Sequence, residues 1–561
     1  MAAAGRVRTA RPGAQGTGGR PATAAWPTAG AALVGLALGL LALGPGLRPG
    51  YLLRYDMVFV PAPRFSASMF GLTGTLPRAV PSDAVVAAVA QVLPADVVQK
   101  GVLLAVFVLA CAGAARLLEG QPWPARLAAG VFYAWNPYVA ERLLIGQWAL
   151  LLGYAGLPWV LAELTRWEPG ASMPRRGARL LVALLPAAVS GFAGLLISAL
   201  VAVPAAALRR AGWRDRAAVL TTTAGLLTLL SLPWLIPSLM HPVHTSPTGA
   251  ALFAARADTP FGTVGSVVML GGSWNAQTVP AGYSGAVTVI WLCLVLVAVA
   301  GFLLRGRGRW PGAGPAAVIG LVLAVLGAAG PGLHLLEAAI RLWGGLGVLR
   351  DGQQFVAPLA VAEAAGLGLA VSWVMQAVRP PLVRDARVSV AAALVIAPVV
   401  FLPGLAWGAA GRLQPVPYPA GWLAARRIIS ADPHPGSVLL LPWASYRRPA
   451  WNHGEAVLDP WPRLLTRTVI WNDGVQVGSV RLPPEDPAAA ALGGPISSGR
   501  PLTARLAAAG IRYVIIDAGP DAATGSATAG GGRDGSGWAA RVLPGCHVAY
   551  AAPGLVVYRL P

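Results

Sequence analysis

The chain has 561 residues, 56% of them hydrophobic and only 12% charged, at a mean hydropathy of +0.61. That much apolar surface excludes a soluble globular protein and calls for a bilayer. The formal charge of +21 sits almost wholly on arginines in short clusters between apolar runs, with Lys100 the lone lysine, so it is not a nucleic-acid signature.

Residues 1–28, rich in Gly, Ala, Pro and Thr, read as a disordered cytoplasmic N-terminus. Apolar stretches then recur at roughly 29–47, 98–118, 125–139, 147–165, 178–190, 194–208, 217–239, 284–304, 313–330, 354–375 and 388–409. The fifth and sixth are short and could form one tilted helix, but "SGFAG" between them reads as a break. With eleven spans, the arginine clusters around Arg8, Arg116, Arg176, Arg210, Arg307 and Arg384 all fall on one side, which the positive-inside rule makes cytoplasmic. The first stretch is read as a retained span rather than a signal peptide, because "ALGPGLRPG" is a poor cleavage site. The fold class expected is an α-helical polytopic membrane protein, residues 29–409, with a long first outer loop at 48–97. Beyond about residue 410 the composition changes. "GSVLLLPW", "RTVIWNDG", "IRYVIIDAG" and "GLVVYRLP" are short β-rich runs, and "RPLTARLAAAG" is a helix ended by Gly510. Residues 410–561 are therefore expected to form an extracytoplasmic α/β domain, with "TGSATAGGGRDGSG" as a flexible loop inside it.

The charged residues that carry chemistry gather at the expected outer boundaries. Asp56, in "GYLLRYDMVFVPAPRF", lies just past the first span between Arg54 and Arg64. An acid there suits proton abstraction from a sugar hydroxyl, with the arginines on a lipid phosphate; the alternative is a loop acid paired with Arg54. Glu141 and Arg142 follow "NPYV", where Pro137 ends a helix. They are either an interfacial ion pair anchoring a tight turn or, with Gln147, the wall of a polar pocket. Arg350, Asp351, Gln353 and Gln354 repeat the theme in "VLRDGQQFVAP". Trp274 and Asn275, in "GGSWNAQTVPAGY", suit sugar stacking and hydroxyl bonding, although Trp is also an ordinary interfacial residue. Glu363 falls near the middle of a span, where an ionisable group is costly. His241 and His244 are too few for a metal site. Three scattered cysteines give neither a disulfide framework nor a zinc spacing. No phosphate loop, dinucleotide fingerprint or nucleophile elbow is present.

The pieces "LLRYDMVFVP", "WNPYVAERLLIGQWALLLGY", "LRDGQQFVAP" and "GSVLLLPWASYRRPAWN", in this order along a membrane bundle, resemble the GT-C class of membrane glycosyltransferases. The likeness is nearest to actinobacterial proteins related to mycobacterial arabinofuranosyltransferases. The resemblance implies a polyprenyl-phosphate sugar donor, a cell-envelope glycan acceptor and Asp56 as the catalytic base in the first outer loop. GT-C sites frequently pair two acids, and Asp56 has no acidic neighbour. The sequence therefore leaves room for a divalent cation but offers no motif that supports one. The expected activity is sugar transfer on the outer face of the plasma membrane. The rivals are a non-catalytic anchored protein that binds a glycan or partner, and a transporter of lipid-linked substrate. The transporter would need facing polar groups through the membrane depth and pseudo-repeat halves, and no internal repeat is visible.

Overall fold

The computed structural model describes residues 25–73, 77–166, 172–240, 245–376, 384–517 and 535–561. His241, His244 and most of the expected flexible loop lie outside these residues.

Every apolar stretch is helical. The bundle comprises α1 (Ala25–Leu43), a short loop helix α2 (Ser82–Val89), α3 (Ala95–Leu117), α4 (Trp123–Ala134), α5 (Pro137–Leu144), α6 (Trp148–Thr165), α7 (Met173–Ser190), α8 (Phe192–Ala207) and α9 (Trp213–Met240). It continues through the short α10 (Gly249–Leu252) and α11 (Gly262–Val268), then α12 (Ala286–Gly301), α13 (Ala313–Leu326), α14 (Gly330–Leu342), α15 (Ala357–Gln376) and α16 (Arg384–Phe401). Among the described residues, six helices are long and apolar enough to cross a bilayer alone. A seventh span arises if α13 and α14, bent by 89°, are counted together. The break expected between the fifth and sixth stretches is real. Gly191 takes φ +77°, and a Cβ there would lie 2.3 Å from the Val80 carbonyl oxygen, so only glycine lets the first loop settle on this corner.

Three stretches end earlier than their hydropathy suggests. The third stops at Ala134. Asn136 then accepts from the Val139 amide and Pro137 occupies the first helical position, which starts α5 anew. Glu141 and Arg142 therefore sit on a short buried helix and not at the tight turn that one of the two sequence readings gave them. The ninth stretch bends away at Gly330, and the last ends at Phe401, ahead of a left-handed turn at Trp407–Ala410.

The bundle has two chemically distinct ends. At one, arginines close the helix termini: Arg116 pairs with Glu163, Arg166 with Glu119, and Arg126 donates to the Ala115 carbonyl. At the other lie the first loop, α5, the 253–283 segment and the C-terminal region.

That region folds around a five-stranded sheet. Its strands, in sheet order, are His547–Ala552, Leu555–Arg559, Ile511–Asp517, Ser437–Leu441 and Val469–Ile470. Ser437–Leu441 runs parallel to both its neighbours. Alternate residues feed two cores, as the two-residue strand period requires. Val438, Leu440, Tyr513 and Ile515 face Trp422 and Trp461, whereas Leu439, Leu441, Val514 and Ile516 face Leu492 and Leu506. The expected helix is present as Thr503–Ala508, ending before Gly510 at φ +70°.

The first loop joins the two units. Leu52, Met57 and Phe59 pack into the bundle core, while Leu53, Val58 and Val60 pack into the C-terminal core. Tyr51–Leu52 pairs with Pro415–Val416, and the buried Gln99 amide bonds both backbone groups of Leu52, at 2.9 and 2.7 Å.

The two ends make a simple prediction. In a background lacking Cys111, Cys293 and Cys546, single cysteines at the exposed positions Arg309 and Arg505 should be labelled by an impermeant reagent from opposite sides of the membrane. Labelling of both from one side would contradict the bundle's polarity.

Candidate functional site

Asp56 stands at the tip of a tight turn. Met57 N donates to Arg54 O at 2.9 Å, and Tyr55 is held at φ +44°. The turn is fixed from two sides. Asp56 N donates to Ile145 O at 3.1 Å, while Tyr55 exchanges backbone bonds with Ala456 and Leu458 of the C-terminal region. Gly146, at φ +85°, lets the α5–α6 corner approach, since a Cβ there would stand 2.2 Å from Met57 N. Asp56 is half-buried, and one of its carboxylate oxygens accepts a 2.5 Å hydrogen bond from the Tyr446 hydroxyl. Burial pushes the Asp56 carboxyl above the usual range. The Tyr446 bond, then the Arg463 and Arg78 charges, then Gln147 pull it back.

The cations come from three parts of the chain. Arg463 is anchored by Asp83 at 2.7 Å. Arg78, from the first loop, pairs with Glu485 at 2.5 Å. Arg350 approaches the same Glu485 at 3.6 Å, too far for a hydrogen bond, and its guanidinium lies 5.3 Å above the Phe253 ring. Trp274 packs edge-on against Phe253, with ring centroids 4.8 Å apart. Burial, and the neighbouring Arg78, lower the Arg350 pKa to about 10.

Beneath this lies a buried polar network. Arg142 is fully enclosed and grips Asp351 with two nitrogens, one at 2.9 Å. It also donates to the side-chain oxygens of Gln353, at 2.8 Å from Nε, and Gln147, at 2.5 Å. Gln353, also fully buried, turns its amide to Glu141 Oε2 at 3.3 Å. Glu141 accepts from the Ser273 amide at 3.1 Å and faces Asp258 across Gly271. Burial first, then the Asp258 charge, push Glu141 well above the ordinary carboxyl range, the behaviour of two acids sharing a proton. Glu141 and Arg142 thus engage different partners and do not form the mutual ion pair considered from the sequence.

The remaining candidates are placed as follows. Arg54 is buried, committed to Glu455 and to Leu144 O, and does not pair with Asp56. Arg64 is exposed. Asn275 caps the turn at Ala276–Thr278 with its side-chain oxygen. Glu363 is 1% exposed, and among the described residues neither of its oxygens has a hydrogen-bond partner. No group of three or more His, Cys, Asp or Glu among the described residues is disposed to hold a metal ion. Sequence reasoning missed Tyr446, Arg78, Arg463 and Glu485. Each lies far along the chain from Asp56, or in a loop without periodic pattern, so no local signal marks it.

No protein-family model matches the sequence, and no curated protein is similar enough in sequence to match it. The cryo-EM structure of arabinofuranosyltransferase AftD from mycobacteria matches with a TM-score of 0.59 at 19% identity, over 96% of this chain and 40% of that one. The chain has the fold of a GT-C glycosyltransferase. Two classes of a mutant AftD agree, at TM-scores of 0.56 and 0.54 and identities of 18% and 21%, over 96% and 88% of this chain and 41% and 37% of theirs. The chain therefore spans about two fifths of the AftD length.

The buried network generates a stability prediction. Arg142→Ala should cost about 3–5 kcal/mol, because it strands Asp351 and Gln353 in a buried site. Arg64→Ala, at an exposed position, should stay within about 0.5 kcal/mol. Thermal unfolding in detergent would report both, and equal effects would contradict the network's role.

Proposed function

We propose that this chain is a membrane glycosyltransferase that moves a sugar from a polyprenyl-phosphate donor to a cell-envelope glycan. The observation that carries the reading is the half-buried Asp56 carboxylate, fixed from both sides and met by Tyr446, with Arg78 and Arg463 close by. In this reading eleven spans place the N-terminus in the cytoplasm and the C-terminal domain outside. Asp56 takes the proton of the acceptor hydroxyl as that oxygen attacks the anomeric carbon. The bond to the phosphate oxygen breaks, and the polyprenyl phosphate leaves against arginine charge. A carboxyl raised by burial is a stronger base near neutral pH than an exposed one. Arg350 is assigned to the donor phosphate. The Trp274–Phe253 edge is assigned to the sugar or the lipid, and Asn275 to the rim of the site. Glu141, Arg142, Gln147, Asp351 and Gln353 form its floor, with Arg142 holding Gln147 in place beneath Asp56. The committed Arg54 serves the turn, and Arg64 the lipid surface.

Asp56→Asn keeps the shape of the side chain and removes its basicity. In membranes given a panel of polyprenyl-phosphate sugars and a glycan acceptor, turnover should fall by about 10²–10⁴ with donor binding nearly intact. Transfer at the parental rate would remove the catalytic assignment.

Tyr446→Phe tests the same carboxylate independently. It deletes the hydrogen bond that holds the Asp56 pKa down, so a base that works ionised should need higher pH. The acid limb of the kcat/KM profile is expected to move upward. A profile that keeps its limb while losing amplitude would make Tyr446 a packing residue only.

A further inference from the structure

The charges around Glu485 are unevenly matched. Two arginines from separate parts of the membrane unit, Arg78 in the first loop and Arg350 at the start of the segment leading into α15, converge on this one carboxylate of the C-terminal domain. The Glu485 side chain is 13% exposed and that of Arg350 14%, so neither charge is fully solvated, whereas Arg78 is 55% exposed. Asp351, the acid adjacent to Arg350 in sequence, is taken by Arg142. Asp473, the other acid beside Glu485, accepts the backbone amides of Glu485 and Asp486, at 3.0 and 3.1 Å. It braces the Glu485 backbone and meets Arg78 through its charge alone, with no hydrogen bond between the two among the described residues. Arg350 thus has one carboxylate oxygen of Glu485 at 3.6 Å, the more distant charge of Asp351 and the like charge of Arg78. Arginine forks are built for two-oxygen anions, and a carboxylate at 3.6 Å is a poor fit to one. Arg78 acts electrostatically on both Asp56 and Arg350, so the Arg78 charge reaches the candidate base.

We infer that Arg78 and Arg350 form a phosphate site in which the Glu485 carboxylate holds the place of the anion, so that a phosphate must displace Glu485 to bind. The ligand chemistry is a phosphate group with at least two free oxygens, borne by a prenyl phosphate or free in solution. The inference rests on the glycosyltransferase reading only for the lipid source of that phosphate. It makes the C-terminal domain a competitor for the donor site: Glu485 screens the arginines when the site is empty and withdraws when it is filled. Of the three groups, only Arg350 was singled out from the sequence. The competing carboxylate lies 135 residues further along the chain, by the difference of the two residue numbers.

The test is binding of inorganic phosphate and, separately, of a short-chain prenyl phosphate to the detergent-solubilised full chain by calorimetry. The parent is compared with Glu485→Gln, Arg78→Ala and Arg350→Ala, and each variant's thermal unfolding is recorded. Glu485→Gln keeps the shape and removes the competing charge, so it should tighten both ligands by about tenfold. Either arginine variant should weaken both by a similar factor, and more at low salt than at high. Unchanged or weaker binding in a folded Glu485→Gln variant would overturn the inference, as would phosphate affinity indifferent to Arg78 and Arg350. Should inorganic phosphate follow the pattern and prenyl phosphate bind no tighter than it, the anion site stands and the lipid-donor reading falls. Should neither ligand bind the parent or the Glu485→Gln variant, the site is refuted.

Discussion

Everything at the candidate site depends on one extended segment shared by two cores. On either side of the Asp56 turn, successive side chains go to different cores. Leu52, Met57 and Phe59 enter the membrane bundle, and Leu53, Val58 and Val60 enter the C-terminal domain. Six buried apolar side chains at about 1.5–3 kcal/mol each amount to gross stabilisation on the order of 10 kcal/mol, before the cost of ordering the loop. The loop is thereby ordered by burial on both faces, and the tight turn that lifts Asp56 out of it is paired at its backbone on both sides. A carboxylate fixed in this way has little freedom to lose when a substrate arrives, which is the preorganisation that proton transfer at a fixed distance requires.

The same shared segment explains why the buried polar network lies where it does. Gly146 must be glycine for the α5–α6 corner to touch the Asp56 turn, and the next residue, Gln147, is held by Arg142. Arg142 in turn is tied to Asp351 and Gln353, and Gln353 to Glu141. The polar residues thus form one chain of contacts from the base of the site to the segment that follows α11. A chain of hydrogen-bonded buried groups confers rigidity; among the described residues one Glu141 oxygen, Oε1, has no hydrogen-bond partner. Glu363 stands apart from it, deep in α15, without a hydrogen bond to either oxygen among the described residues.

The architecture was legible where local pattern decides it. Long apolar runs gave the helices, the four β-rich runs of the tail are four strands of one sheet, and Gly510 ends its helix. The fold likeness inferred from the order of pieces agrees with the AftD match. What was not legible depends on partners distant in sequence. "YLLRYDMVFVP" is apolar on both faces, so its alternation between two cores is invisible until both cores exist. Glu141 and Arg142 read from the sequence either as an interfacial pair or as a pocket wall, yet neighbours on a helix point in different directions and each found a partner more than a hundred residues away. Tyr446 and Glu485 belong to the C-terminal region, and no spacing links them to Asp56.

The central claim is that the Asp56 turn, the C-terminal domain and the Arg78–Arg350 pair together make the reaction site. The most direct measurement is a cryo-EM structure of the full chain with a non-transferable prenyl-phosphate sugar analogue. The account predicts the phosphate between Arg78 and Arg350, the anomeric carbon facing the Asp56 carboxylate and Glu485 turned away. An analogue bound elsewhere, with Asp56 still closed against Tyr446 and Glu485 still between the arginines, would contradict it.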